Sequence, residues 1–105
     1  MLRAIVSDIH GNLEALEVVL ADVRRAGAGA LVSLGDFVGY GASPNECIDR
    51  LRPGIEAAVA GNHDLAACGK LRLGYFNPDD AAAARWTDAA LTHENRACLA
   101  DLPFR

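Results

Sequence analysis

Three short apolar runs, Arg3 to Ser7, Ala30 to Leu34 and Ile55 to Ala60, each stop at a cluster of glycine and polar residues. The first runs into Asp8-Ile9-His10-Gly11, the second into Gly35-Asp36, and the third into Gly61-Asn62-His63-Asp64. Runs this short and apolar, bounded by turn residues, read as buried strands. Between the first two the period changes. Leu13, Leu16, Val19, Leu20 and Val23 share one face at helical spacing, with Glu14, Glu17, Asp22 and Arg24 elsewhere. Asn12 is placed to cap that helix, and Gly27 and Gly29 to end it. Ser43-Pro44-Asn45-Glu46 offers an N-cap serine, proline at the first helical position and glutamate at the third. That spacing predicts a capping box and a helix reaching about Leu51, before Pro53-Gly54 breaks it.

After the third run the chain reads as helical. Asn77-Pro78-Asp79-Asp80 is a start signal for a helix over Ala81 to about Leu91, and Thr92 caps a last one to about Leu102. Strand, helix, strand, helix, strand predicts an α/β fold with parallel strands and right-handed crossovers. A chain of 105 residues supports one core. In an open parallel sheet, ligands bind beyond the carboxyl ends of the strands, where all three polar clusters fall.

Composition excludes several classes. The net charge of -4 leaves no basic stripe for a nucleic-acid backbone, although a nucleotide substrate stays open. The apolar runs are far too short to span a bilayer, and Met1 to Val6 lacks the length and cleavage site of a signal peptide. Cys47, Cys68 and Cys98 are scattered and odd in number, which predicts reduced packing thiols in a cytoplasmic protein. Gly39-Tyr40-Gly41-Ala42-Ser43-Pro44 is no dinucleotide fingerprint, because proline stands where the third glycine belongs and the segment follows the second strand.

The polar clusters make sense together as a metal site. In an extended segment Asp8 and His10 would point to the same side, with Ile9 turned to the core. Asp36 adds a carboxylate able to bridge two ions, and Asn62 adds a neutral carbonyl oxygen. Gly11, Gly35 and Gly61 let the main chain approach closely. Mixed carboxylate, imidazole and amide donors suit Mn, Fe, Co or Zn better than Ca. Each motif alone has a plainer reading: Gly35-Asp36 as a turn, or Asp64 as a helix cap. All three in order, each ending an apolar strand, are not explained as turns.

Ser7-Asp8-Ile9-His10-Gly11-Asn12, Gly35-Asp36-Phe37-Val38-Gly39-Tyr40-Gly41 and Gly61-Asn62-His63-Asp64 together resemble the calcineurin-like metallophosphoesterases, especially small prokaryotic members. The likeness extends to Ser43-Pro44-Asn45-Glu46, Asn77-Pro78 and Glu94-Asn95-Arg96. The resemblance implies that residues 1–105 are the N-terminal part of a single metallophosphoesterase domain. They would form the βαβαβ start of a four-layer α/β/β/α sandwich, stopping before the second sheet. It implies a dinuclear site in which Asp8 and His10 bind the first ion, Asp36 bridges both and Asn62 binds the second. His63 would stand beside the scissile phosphate as the catalytic group, oriented by Asp64. Such ions clamp the attacking and leaving oxygens of an in-line displacement at phosphorus.

The family pattern also includes a later histidine and a Gly-His-x-His, and neither occurs here. His93, the one remaining histidine, reads as solvent-facing in the first turn of a helix. The expectation is therefore a phosphomonoesterase or phosphodiesterase acting on a small phosphate ester or nucleotide, with a weak or absent second ion and low activity in this chain. The alternative is a non-catalytic metal- or partner-binding module of the same fold. A missing second sheet would expose apolar surface and favour dimers or swapped elements. Phe37 and Tyr40 stand equally as pocket or packing residues.

Overall fold

The computed structural model describes residues 1–104. Three parallel strands, β1 (Arg3–Val6), β2 (Ala30–Ser33) and β3 (Ile55–Ala58), lie in the order β1-β2-β3. The register pairs Ile5 with Val32 and, past a bulge at Leu31/Val32, Val32 with Ala57. Each strand ends one or two residues before its apolar run does. The helices are α1 (Leu13–Arg25), α2 (Pro44–Leu51), α3 (Asn62–Ala67), α4 (Pro78–Ala90) and α5 (His93–Ala100).

The crossovers β1-α1-β2 and β2-α2-β3 advance in the same direction, and right-handed connections then put both helices on one sheet face. Leu16 of α1, Leu31 of β2 and Cys47, Ile48 and Leu51 of α2 form the core there, joined by Phe37, Val38, Leu91 and Leu99. Asn12 caps α1 as its position predicts, accepting from the N–H of Ala15 at 3.1 Å. The predicted capping box at Ser43 does not form: its side chain makes no cap hydrogen bond. Instead the Ser43 N–H donates to the carbonyl of Gly11, so the start of α2 is fixed by the loop after β1. Asn45 ties α2 to the turn between α4 and α5. It donates to the Ala90 carbonyl at 2.8 Å and accepts from the Thr92 N–H and the Asn95 amide. His93 is exposed, as expected.

The other sheet face is open. Ile5 is 67% and Leu34 56% exposed, and an Arg3–Glu56 ion pair crosses the same face. Phe37 is resolved as a core residue, 5% exposed.

Candidate metal centre

The loops after β1 and β2 remain stitched together beyond the strands. Main-chain N–H groups of Asp8, His10 and Gly11 donate to the carbonyls of Gly35, Asp36 and Phe37 at 2.9–3.0 Å. This stitching forces an unusual backbone. Asp8, His10, Asp36 and Tyr40 have φ of 57°, 52°, 56° and 67°, the non-glycine residues with positive φ among those described. A left-handed conformation costs an L-residue on the order of 1 kcal/mol or more. Four together at one spot mark a place where tertiary structure imposes geometry that local preference opposes. The expectation that Asp8 and His10 converge from an extended segment is corrected here: they meet because the loop coils tightly.

The Nδ1 of His10 lies 3.0 Å from the carbonyl oxygen of Val38. A carbonyl only accepts, so Nδ1 carries a proton, which leaves Nε2 as the ring nitrogen that could bind a cation. That nitrogen faces Asp8 Oδ1 at 3.2 Å and Asp36 Oδ2 at 3.9 Å. One ligand atom from each of Asp8, His10 and Asp36 lies within 4.8 Å of the others. Three acceptors drawn together in this way fit a cation, and the mixed oxygen and nitrogen set suits a transition metal. A carbonyl holding the far ring nitrogen is the usual support of a ligating histidine. The Ser7 hydroxyl donates to Asp8 Oδ2 at 2.6 Å and holds the Asp8 carboxyl below the usual carboxylate range, against a smaller opposing effect of burial.

Asp36 faces two ways. Its Oδ2 looks toward His10, while Oδ1 accepts from the His63 N–H at the start of α3 at 3.0 Å. Gly61 makes this possible: a Cβ there would lie 2.1 Å from Asp36 Oδ1. Asn62, the first residue of α3, is exposed and flanked by Gly61 and His63, both in touch with Asp36.

Asp64 is fully buried and acts otherwise than expected. Its carboxylate accepts from the N–H groups of Asp36 (2.8 Å), Gly61 (3.0 Å) and Val38 (3.2 Å). Its oxygens serve main chain and do not orient the His63 ring as expected, since His63 Nδ1 has no hydrogen-bond partner among the described residues. The reason is the α3 helix itself, which starts at Asn62 and turns the third residue, Asp64, back onto the helix start. Burial pushes the Asp64 carboxyl up to about 6, opposed by the three N–H donors and reinforced by the charge of Asp36.

The His63 ring, 7% exposed, sits among aromatic neighbours: His10 at 4.9 Å, Tyr40 at 4.7 Å and Phe76 at 5.1 Å between ring centroids. Gly39 allows that packing, since a Cβ there would come within 2.7 Å of His63 Nδ1. The sequence signals singled out Asp8, His10, Asp36, His63 and Asp64, which the structure brings close together. They missed Phe76, which belongs to no motif, and the Val38 carbonyl, which no side chain can announce.

The family model for calcineurin-like phosphoesterase matches residues 1–102. The chain belongs to the calcineurin-like phosphoesterase family. That membership implies divalent metal ions, in keeping with the Asp8, His10 and Asp36 cluster. The chain is 47% identical over 101 residues to the uncharacterised protein MJ0912 of Methanocaldococcus jannaschii, covering 96% of this chain and 42% of that one. Among solved structures, it is similar to a metallophosphoesterase from Sphaerobacter thermophilus, with 44% identity, a TM-score of 0.79, and 96% of this chain against 41% of that one. A protein provisionally named a diadenosine tetraphosphatase aligns at 26% identity with a TM-score of 0.73, over 96% of this chain and 42% of its own. The chain thus spans about two fifths of the length of these relatives. No helix among the described residues is long and apolar enough to cross a membrane.

Proposed function

We propose that this chain carries a divalent-metal site for phosphate-ester hydrolysis, on phosphomonoesters or phosphodiesters. The observation that carries this reading is the convergence of Asp8, His10 Nε2 and Asp36 beside the ring of His63. In this proposal Asp8 and His10 hold the first of two ions, Asp36 is shared, and Asn62 contributes to the second. Manganese, iron, zinc and cobalt all fit the donor set. Bound ions would supply Lewis-acid polarisation of the phosphoryl oxygens and neutralise their charge.

His63 is the proton donor to the departing alkoxide, because an imidazole can give a proton near neutral pH. Asp64 is a positioning residue: it fixes the N–H groups of Asp36, Val38 and Gly61 and through them the Asp36 carboxylate. A dinuclear site held on one side by Asp36 and Asn62 alone would bind its second ion weakly, so slow turnover is expected of these 105 residues. The substrate is a small phosphate ester or nucleotide, and the name of the diadenosine tetraphosphatase neighbour favours the nucleotide. The three unpaired cysteines favour a reducing cytoplasm.

A second reading, a metal- or partner-binding module without turnover, draws on the open sheet face at Ile5 and Leu34, which would also favour a dimer or swapped assembly. Hydrolysis of a chromogenic phosphodiester with added manganese separates the two. The enzyme reading predicts manganese-dependent turnover lost in Asp36→Asn and in His63→Ala, with metal uptake kept in His63→Ala. Turnover indifferent to both substitutions would overturn it, and metal uptake without any turnover would leave the module.

A further inference from the structure

Tyr40 is an anomaly for a packing residue. Phe37, three positions earlier, is 5% exposed in the core, whereas Tyr40 is 57% exposed. Its backbone is nonetheless held firmly in the left-handed region at φ 67°, between Gly39 and Gly41. The Gly41 N–H donates to the carbonyls of His10 and Gly39, both at 2.8 Å, which pins the segment to the loop after β1. A large aromatic ring is thus carried on a pinned backbone, kept mostly in solvent, and set 5.1 Å from the His10 ring and 4.7 Å from the His63 ring.

The same ring lines an open cleft of ≈ 510 Å³ whose other residues include Asp8, His10, Gly41 and Ser43. Tyr40 therefore stands over the candidate ligands with a free face. Core packing does not call for this, since the ring gains little burial in return for its strained backbone. A flat group on a ligand bound at Asp8 and His10 would meet it.

Resting on the metal-site reading above, we infer that Tyr40 is a specificity-determining residue, the wall against which a planar aromatic group of the phosphate ester packs. The site then prefers esters bearing an aromatic ring close to the ester oxygen over aliphatic ones of equal size. Ring stacking is worth about 0.5–1.5 kcal/mol beyond area burial, or roughly 3- to 10-fold in affinity.

The test is calorimetric titration of the manganese-loaded chain with inorganic phosphate, phenyl phosphate and cyclohexyl phosphate, in the natural chain, Tyr40→Phe and Tyr40→Leu. Adenosine monophosphate is added to distinguish a base held further from phosphorus. The expected affinity ratio of phenyl to cyclohexyl phosphate is about 3 to 10 in the natural chain and in Tyr40→Phe, falling to about 1 in Tyr40→Leu. Tyr40→Asn, whose side chain tolerates φ above zero, gives the same readout where leucine does not fold. A gain for adenosine monophosphate that also disappears in Tyr40→Leu would extend the preference to nucleobases. A ratio near 1 in the natural chain, or one unchanged in Tyr40→Leu, overturns the inference while phosphate binding leaves the metal reading standing. No manganese-dependent phosphate binding overturns both.

Discussion

Asp36 and Asp64 hold each other's segments in place: the Asp64 carboxylate accepts from the Asp36 N–H at 2.8 Å, while the Asp36 carboxylate accepts from the N–H of His63, the residue before Asp64. The loop after β2 and the start of α3 are thereby one unit. Neither carboxylate can move without releasing a main-chain group that the other segment needs.

Asp64→Asn tests this coupling. An amide keeps one acceptor oxygen but turns an NH2 toward N–H donors, so at least one of three buried bonds is lost. The expected loss is about 2–4 kcal/mol of unfolding free energy in urea, because a buried donor is left unpaired. Metal affinity should fall with it, although Asp64 lies in the shell behind the ligands. A variant as stable as the natural chain would contradict the coupling.

Gly61→Ala isolates the steric part. Gly61 has φ -88°, so alanine meets no backbone strain, but its Cβ would press on Asp36 Oδ1 and on the Asp36 N–H. The expected outcome is a drop in manganese affinity of roughly tenfold or more, about 1.4 kcal/mol. Unchanged affinity would mean that the Asp36 carboxylate is not where metal binds.

The open sheet face makes a prediction about association. Ile5 and Leu34 present apolar side chains to solvent, and β1 has one edge unpaired. Sedimentation of the chain should show mass increasing with concentration, and Ile5→Lys should shift it toward the monomer. Mass independent of both concentration and substitution would contradict an exposed adhesive face.

Thiol reactivity checks the packing of α2. Cys47 is fully buried, and burial pushes its thiol up to about 11, whereas Cys68 and Cys98 are partly exposed. The thiolate is the reactive form, so at pH 8 a thiol reagent should label Cys68 and Cys98 and reach Cys47 only on unfolding. Rapid labelling of Cys47 in the native chain would contradict the core described here.

The strand pattern and the three polar clusters were legible in the sequence because periodicity and glycine placement are local signals. Asp8, His10, Asp36 and His63 were recognisable for the same reason, each closing an apolar run. What local signals could not carry was backbone imposed from afar. Nothing in Asp8, His10 or Tyr40 announces positive φ, since the cause is hydrogen bonding to residues 35–39 and to the loop at residue 10. The Ser43 capping box failed because the Gly11 carbonyl claims the residue's main chain. Asp64 looked like a partner for its neighbouring histidine, yet the helix geometry aims it at three N–H groups.

The most direct test of the metal centre is manganese binding to the purified chain, followed by paramagnetic resonance, with Asp36→Asn alongside Asn62→Ala. Saturable binding that Asp36→Asn abolishes and Asn62→Ala merely weakens is the predicted result, since Asp36 faces both His10 and the start of α3. No saturable binding, or equal affinity in the two variants, would contradict it.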